Sequence, residues 1–250
     1  MVNSKEILYY KNSPIKELPK VAFARGNCYK LMQYLKNNGV KIINSFINMV
    51  YMKDKWQTYL NLKKIGINQP KTINDTKKIE FDDVVKILGK PFVLKYRFGA
   101  QGKSVFLINT KEEYDNITLN YYFDDLILQQ YIKESKGKDI RIFVVGNKYF
   151  GAVRDNTLND DFRANLAQGG ISYEFKISSD FKTIIQKICK NLQAEIVGLD
   201  FLFDENNGYS FCEANGNAGY KAFQNQGINI SKIIAEYIYN TYFMEGKLWN

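Results

Sequence analysis

The residues best suited to chemistry lie late in the chain, in GLDFLFDENNGYSFCEANGN, Gly198 to Asn217. Two apolar segments joined by a polar turn carry Asp200 on the first and Glu213 and Asn215 on the second. Strand alternation puts Phe211, Glu213 and Asn215 on one face and Cys212 and Ala214 on the other, so Cys212 reads as a small core residue. A turn over 204–208 brings Asp200 near Glu213 across a ladder. Carboxylates so placed repel unless a cation lies between them. Oxygen ligands from Asp, Glu and Asn suit a hard cation, Mg²⁺ above all. On spacing alone, two unconnected surface acids remain an open reading.

A second group surrounds Lys95 in the apolar run PFVLKY, where a lysine is costly unless its ammonium finds a partner or water. Alternation places Val93, Lys95 and Arg97 on one face, opposite Phe92 and Leu94. FGAQGKS follows, with two glycines and backbone N–H groups able to close over anionic oxygens. Its spacing matches neither the P-loop nor the Rossmann fingerprint, and an ordinary hairpin loop is the alternative. Arg141 and Arg154 fall on expected strands, where an inward guanidinium needs an anion. Arg163 and Asn165 fall in FRANLAQGG, and Arg97 reads as an exposed strand residue. Each arginine alone also fits a surface or ion-pair role.

Composition narrows the chemistry. The chain has no histidine, which removes His-based zinc sites, Ser-His-Asp triads and imidazole acid–base catalysis. Cys28, Cys189 and Cys212 are odd in number and far apart, which argues against a disulfide framework or thiolate metal site and fits a cytoplasmic location. No run approaches a membrane span, and MVNSKEILYY lacks the apolar core of a signal peptide. A net charge of +9 favours anionic partners without choosing among them.

Periodicity predicts the elements that position these residues. Helices are expected at NCYKLMQYLKNNG, with Cys28, Leu31, Met32 and Leu35 on one face, and at KDKWQTYLNLKKIG, with Trp56, Tyr59, Leu60 and Lys63 on one side. Further helices are expected at FDDVVKILGK, from KEEYDNI, from Phe181 to Leu192 behind Ser178 or Ser179, and from Ile230 to Tyr242 behind Asn229. Strands are expected at VKIINSF, on both sides of the glycine loop, at DLILQQYI, and in a hairpin turning at Gly146-Asn147. Hairpins beside helices argue an α+β fold rather than a doubly wound parallel sheet.

The ordered succession KDKWQTYLNLKKIGINQPKT, PFVLKYRFGAQGKSVFLI, LQQYIKESKGKDIRIFVVG, DFRANLAQGG and GLDFLFDENNGYSFCEANGNAG closely resembles the ATP-grasp superfamily, nearest its RimK-like branch of carboxylate–amine ligases. The resemblance covers roughly residues 50 to 243 and does not extend over the first 45. It implies an ATP-grasp fold of two α+β subdomains clasping a nucleotide, at 51–125 with the glycine loop and 126–250 with the metal site. On the same resemblance, residues 1–50 are expected to be a shortened substrate or oligomerisation region. It implies ATP with Mg²⁺ or Mn²⁺, two ions, on Asp200, Glu213 and Asn215. Nucleotide contacts fall on Lys55, Lys95, Gly99, Gln101, Gly102, Lys103, Ser104, Gln130, Tyr131, Asp139, Arg163, Ala164 and Asn165. Asp139 matches a residue near the ribose, and main-chain groups at Gln130 and Tyr131 match the readers of the base. Arg154, Arg141 and Lys95 match the reacting centre.

The implied reaction joins a carboxylate to an amine through an acyl phosphate and needs no histidine. Partners are a carboxylate and an amine substrate, an acidic peptide among the candidates, with a homo-oligomer completing the site as one arrangement. Peptide tailoring by ester or amide crosslinks and a non-catalytic ATP-binding regulator are alternatives. An RNA-binding module is disfavoured, because most aromatics fall on core faces. Gln130 stands where the branch has glutamate, Ala167 and Gln168 replace its histidine and arginine, and GNAG replaces its serine–proline–glycine run after Asn215. These departures put the substrate in question more than the ATP chemistry.

Overall fold

Apolar alternation in the middle and late chain resolves into two antiparallel sheets. The computed structural model describes residues 9–10, 13–25, 28–75, 79–99, 104–159, 161–164, 170–205 and 208–244. Short strands β1 (Tyr9–Tyr10) and β2 (Ser13–Pro14) precede a parallel pair, β3 (Val21–Phe23) and β4 (Lys41–Ile43), spanned by helix α1 (Tyr29–Asn37). Helices α2 (Phe46–Lys53) and α3 (Lys55–Lys64) lead into the first sheet. It contains β5 (Thr72–Ile73), β6 (Phe92–Tyr96), β7 (Val105–Ile108) and β8 (Leu126–Gln130) in the order β5-β8-β6-β7. Helices α4 (Phe81–Leu88) and α5 (Lys111–Thr118) cover one face of it, packing Phe81, Val84 and Tyr114 on Phe92, Leu94 and Leu128.

The second sheet has the order β11-β10-β9-β12-β13, from β9 (Lys138–Val145), β10 (Lys148–Asp155), β11 (Ile171–Glu174), β12 (Ile196–Asp204) and β13 (Gly208–Asn215). Ile140, Ile142, Val144 and Leu199 point to one face. There Ile185 and Ile188 of α6 (Ser179–Leu192), Met49 of α2 and Leu62 of α3 meet them. The opposite face is divided along its length. Phe143, Val145 and Ile196 pack under α7 (Lys221–Gln224) and α8 (Ile230–Tyr239), through Phe223, Ile230 and Ile234. The other half of that face carries Asp139, Arg141, Arg154 and Asp200, which the register places side by side. A strand period of two thus gives β9 an apolar end and a charged end on one surface.

Local chemistry matches most of the expected elements. Gly89, at φ +83°, ends α4 in a conformation that favours glycine. Thr110 and Glu113 form a capping box on α5, and Ser178 and Asn229 cap α6 and α8. Three expectations are corrected. Cys28 is the exposed N-cap of α1 rather than part of its buried face. In α3 the buried side chains are Thr58, Tyr59 and Leu62, because Asp54 starts the helix and the core-facing stripe runs through them. The strand expected from VKIINSF stops at Ile43, since the Ser45 side chain accepts a bond from the Asn48 amide and opens α2. Helix α2 and strand β11 have no counterpart in the sequence reading.

Candidate active site

The acidic hairpin pairs Asp200 directly with Glu213, and a bulge follows, so that Phe201 pairs with Phe211 and Cys212 is the extra residue. Alternation therefore breaks. Phe211 and Ala214 join the core cluster while Cys212 does not, and all four residues from Phe211 to Ala214 border the cleft between the sheets. Cys212 is not the core residue that simple alternation predicts, because a bulge re-aims consecutive side chains. Burial pushes its thiol above the ordinary range, despite Lys95 at 3.5 Å.

Lysines approach from the other side. Lys95 leaves the first sheet toward the cleft, and its ammonium donates to Gln129 Oε1 at 2.6 Å. Gln129 is buried and held in turn by Thr72, to whose hydroxyl its amide donates at 2.9 Å. Lys55, at the first turn of α3, donates to the Gly99 carbonyl at 2.6 Å and lies 3.3 Å from Glu213 Oε1. It therefore ties the start of the glycine loop to the acidic hairpin.

Asp54 positions Lys55. One of its oxygens caps α3 by accepting from the Trp56 and Gln57 amides, and both oxygens take Arg97 at 2.7 and 2.6 Å. Arg97 is therefore a half-buried anchor, not the exposed strand residue expected. Neither Gln129 nor Asp54 was singled out from sequence, since both roles depend on which strand or cap lies opposite.

The charged half of the second sheet is a four-member network. Arg141 engages both oxygens of Asp200, and its other nitrogen lies 3.4 Å from the Gly219 carbonyl. Arg154 engages both oxygens of Asp139 and reaches Asp200 at 3.2 Å. Burial raises the Asp139 carboxyl above its usual range against the pull of Arg154. Burial works the same way on Asp200, but Arg141 and Arg154 outweigh it and hold that carboxyl low. Asp200 is thus the anchored anion of the group. Two carboxylates paired directly, as Asp200 and Glu213 are, need a cation between them. At Asp200 two guanidiniums already fill that role, and at Glu213 Lys55 does. Asp139, the residue expected beside the ribose, accepts from Arg154 on both oxygens.

Gly198 lets the loop after Asn215 pass close, because a Cβ there would run into Ala218 and crowd Arg141. Asn215 lies 3.5 Å from Asp200 Oδ2 through its amide nitrogen, and turning that amide presents oxygen to the same point. Among the described residues no three acidic, Cys or His side chains form a metal cluster, and the third candidate donor, Asn215, is an amide. The set Asp200, Glu213 and Asn215 is all-oxygen and converges at one hairpin, which fits a hard cation such as Mg²⁺.

The remaining expected residues are spread around the cleft. Gln130 ends β8, where its N–H donates to the Lys71 carbonyl at 2.8 Å and its side-chain oxygen accepts from the Lys71 N–H at 3.3 Å. The Tyr131 ring lies 6.4 Å from Phe162, edge to face. Arg163 pairs with Asp161 at 2.8 Å, with Ala164 next to it. Gly99 and Ser104 flank the glycine loop, and Gln101, Gly102, Lys103 and Asn165 lie outside the described residues.

Two antiparallel sheets that bring lysines over an acidic hairpin have the arrangement of ATP-grasp proteins. The chain belongs to the RimK-like ATP-grasp family, whose domain model matches residues 52–238. Human N-acetylaspartylglutamate synthase A is 26% identical over 241 residues, covering 94% of this chain and 62% of the synthase. A probable alpha-L-glutamate ligase of Legionella pneumophila (strain Corby) is 29% identical over 213 residues, covering 83% of this chain and 70% of the ligase. The chain thus spans about six tenths of the human relative's length. The crystal structure of a RimK domain ATP-grasp protein from Sphaerobacter thermophilus superimposes with a TM-score of 0.70 at 16% identity, covering 94% of this chain and 88% of that one. That likeness establishes the fold. Among the described residues no helix is long and apolar enough to cross a membrane.

Proposed function

We propose that this protein is an ATP-dependent carboxylate–amine ligase that forms an amide or peptide bond. One observation carries the reading: Lys95 from the first sheet and Glu213 from the second line one cleft, and Lys55 links Glu213 to the glycine-loop carbonyl of Gly99. A triphosphate entering there would exchange lysine–protein contacts for lysine–phosphate contacts, with Gln129 keeping Lys95 aimed.

Asp200, Glu213 and Asn215 would hold Mg²⁺, which neutralises phosphate charge when bound. Arg141 and Arg154 would supply guanidinium donors to the reacting carboxylate and the transferred phosphoryl. In the reaction a carboxylate oxygen attacks the γ-phosphorus and ADP leaves. The amine then attacks the acyl carbon, loses a proton and expels phosphate. Positioning and charge neutralisation supply most of such catalysis, so a chain without histidine is adequate.

The names of the relatives support glutamate or another amino acid as one substrate, and the basic surface is compatible with an acidic one. Phosphate release with ATP and Mg²⁺ against a panel of amino acids and acidic peptides, followed by mass spectrometry of the products, tests the proposal. An ATP-dependent mass gain equal to the joined substrates minus water is expected. ATP binding with no substrate-dependent phosphate release across the panel would favour a regulatory nucleotide-binding protein instead.

A further inference from the structure

Arginine is used sparingly, at five positions among 35 basic side chains. Four of the five are committed to aspartates: Arg97 to Asp54, Arg141 to Asp200, Arg154 to Asp139 and Arg163 to Asp161. Among the described residues the fifth, Arg25, has no carboxylate partner. It is nonetheless fixed in place. One terminal nitrogen donates to the Ala218 carbonyl at 2.9 Å, and the guanidinium carbon lies 5.2 Å from the Tyr220 ring and 5.7 Å from Phe23. Tyr220 is itself held, its hydroxyl 2.8 Å from Ser231 Oγ and its ring edge-on to Phe143.

The position of Arg25 matters as much as its charge. The carbonyl it holds belongs to the loop that leaves Asn215, and the next carbonyl, that of Gly219, is the one Arg141 approaches. Arg25 and Arg141 thus grip adjacent peptide groups of one loop. A guanidinium has five N–H donors in a planar fork, and this contact uses one. Arg25 is exposed, so a ligand can reach the rest of the fork.

We propose that Arg25 binds a non-reacting carboxylate of a substrate, orienting that molecule against the centre formed by Arg141, Arg154 and the hairpin. The inference rests on the ligase reading above. A planar carboxylate matches the fork in two parallel hydrogen bonds, and the flanking rings stabilise the cation without consuming its donors. A carboxylate from the acid-donating substrate and one from the amine-bearing substrate have the same chemistry here.

Calorimetry with glutarate and its neutral analogue glutaramide, in Mg²⁺ and a non-hydrolysable ATP analogue, tests the proposal without turnover. Wild type is expected to bind glutarate roughly tenfold or more tightly than glutaramide, the scale of a charge-assisted contact. Arg25→Ala should lose about that factor for glutarate while binding the ATP analogue normally, and Arg25→Lys should fall between. Glutarate binding no better than glutaramide, or equal in wild type and Arg25→Ala, overturns the proposal. Failure of wild type to bind the ATP analogue would instead overturn the ligase reading. With an active substrate pair, replacing each substrate in turn by its carboxamide identifies the source: the KM penalty of Arg25→Ala should vanish for the one whose carboxylate Arg25 holds.

Discussion

Asp200→Asn separates two accounts of the acidic hairpin in the ligand-free protein. Were Asp200 present solely to await a metal, removing its charge would relieve repulsion with Glu213 opposite and leave the protein as stable or more so. The structure predicts the reverse. Two guanidiniums and two carboxylates balance in the network of Arg141, Arg154, Asp139 and Asp200, and the Asp200 side chain is 8% exposed. Asparagine there leaves one uncompensated buried positive charge. Breaking a buried pair from one side costs about 3–5 kcal/mol.

Urea denaturation in EDTA should therefore show Asp200→Asn losing about that much stability. Glu213→Gln should lose less than Asp200→Asn, since the Glu213 side chain is 27% exposed and Lys55 keeps the Gly99 carbonyl at 2.6 Å. The pH dependence has a definite sign. Arginine partners hold the Asp200 carboxyl below its unfolded value, so its contribution is complete above about pH 4 and is lost as pH falls further. The gap between wild type and Asp200→Asn should narrow in that acid range. Equal or greater stability of Asp200→Asn at neutral pH would refute the account of a network that holds itself together without metal.

Other substitutions probe the cleft and its supports. Glu213→Ala should abolish Mg²⁺-dependent turnover while preserving the circular dichroism spectrum, and near-normal turnover would remove Glu213 from the metal set. Lys95→Ala should weaken ATP binding by about 1–3 kcal/mol in calorimetry, and unchanged affinity would count against phosphate contact. Asp54→Ala loses both the α3 cap and the Arg97 partner and should cost about 2–3 kcal/mol in urea denaturation, whereas Asp54→Asn, which keeps a capping oxygen, should cost less. Equal losses for the two would mean that the cap contributes nothing.

The parts legible in the sequence are those set by short-range pattern. The caps of α6 and α8 and the Gly89 stop follow from residues within a few positions of one another, and the pairing of Asp200 with Glu213 follows from the short turn between their strands. Lys95 was legible because an ammonium in an apolar strand must be answered by something. What answers it was not, since Gln129 lies 34 positions away and meets Lys95 only through the pairing of β6 with β8. The bulge at Cys212 was hidden for a related reason: alternation assumes an unbroken ladder, and no residue in YSFCEAN announces the extra one.

Alternation along β9 and β10 identifies Asp139, Arg141 and Arg154 as inward-facing charges, but not their pairings, which come from register. Because β10 sets Arg154 opposite Asp139 and β12 sets Asp200 opposite Arg141, each carboxylate obtains its guanidinium across a strand boundary. The same register that would gather the metal ligands therefore also supplies the cations that stabilise the site before any metal arrives. On the proposed reading, ligand binding there would exchange partners rather than fill an unstable cluster of acids. For that reason the stability of Asp200→Asn in EDTA, and not its turnover, is the measurement that distinguishes the two.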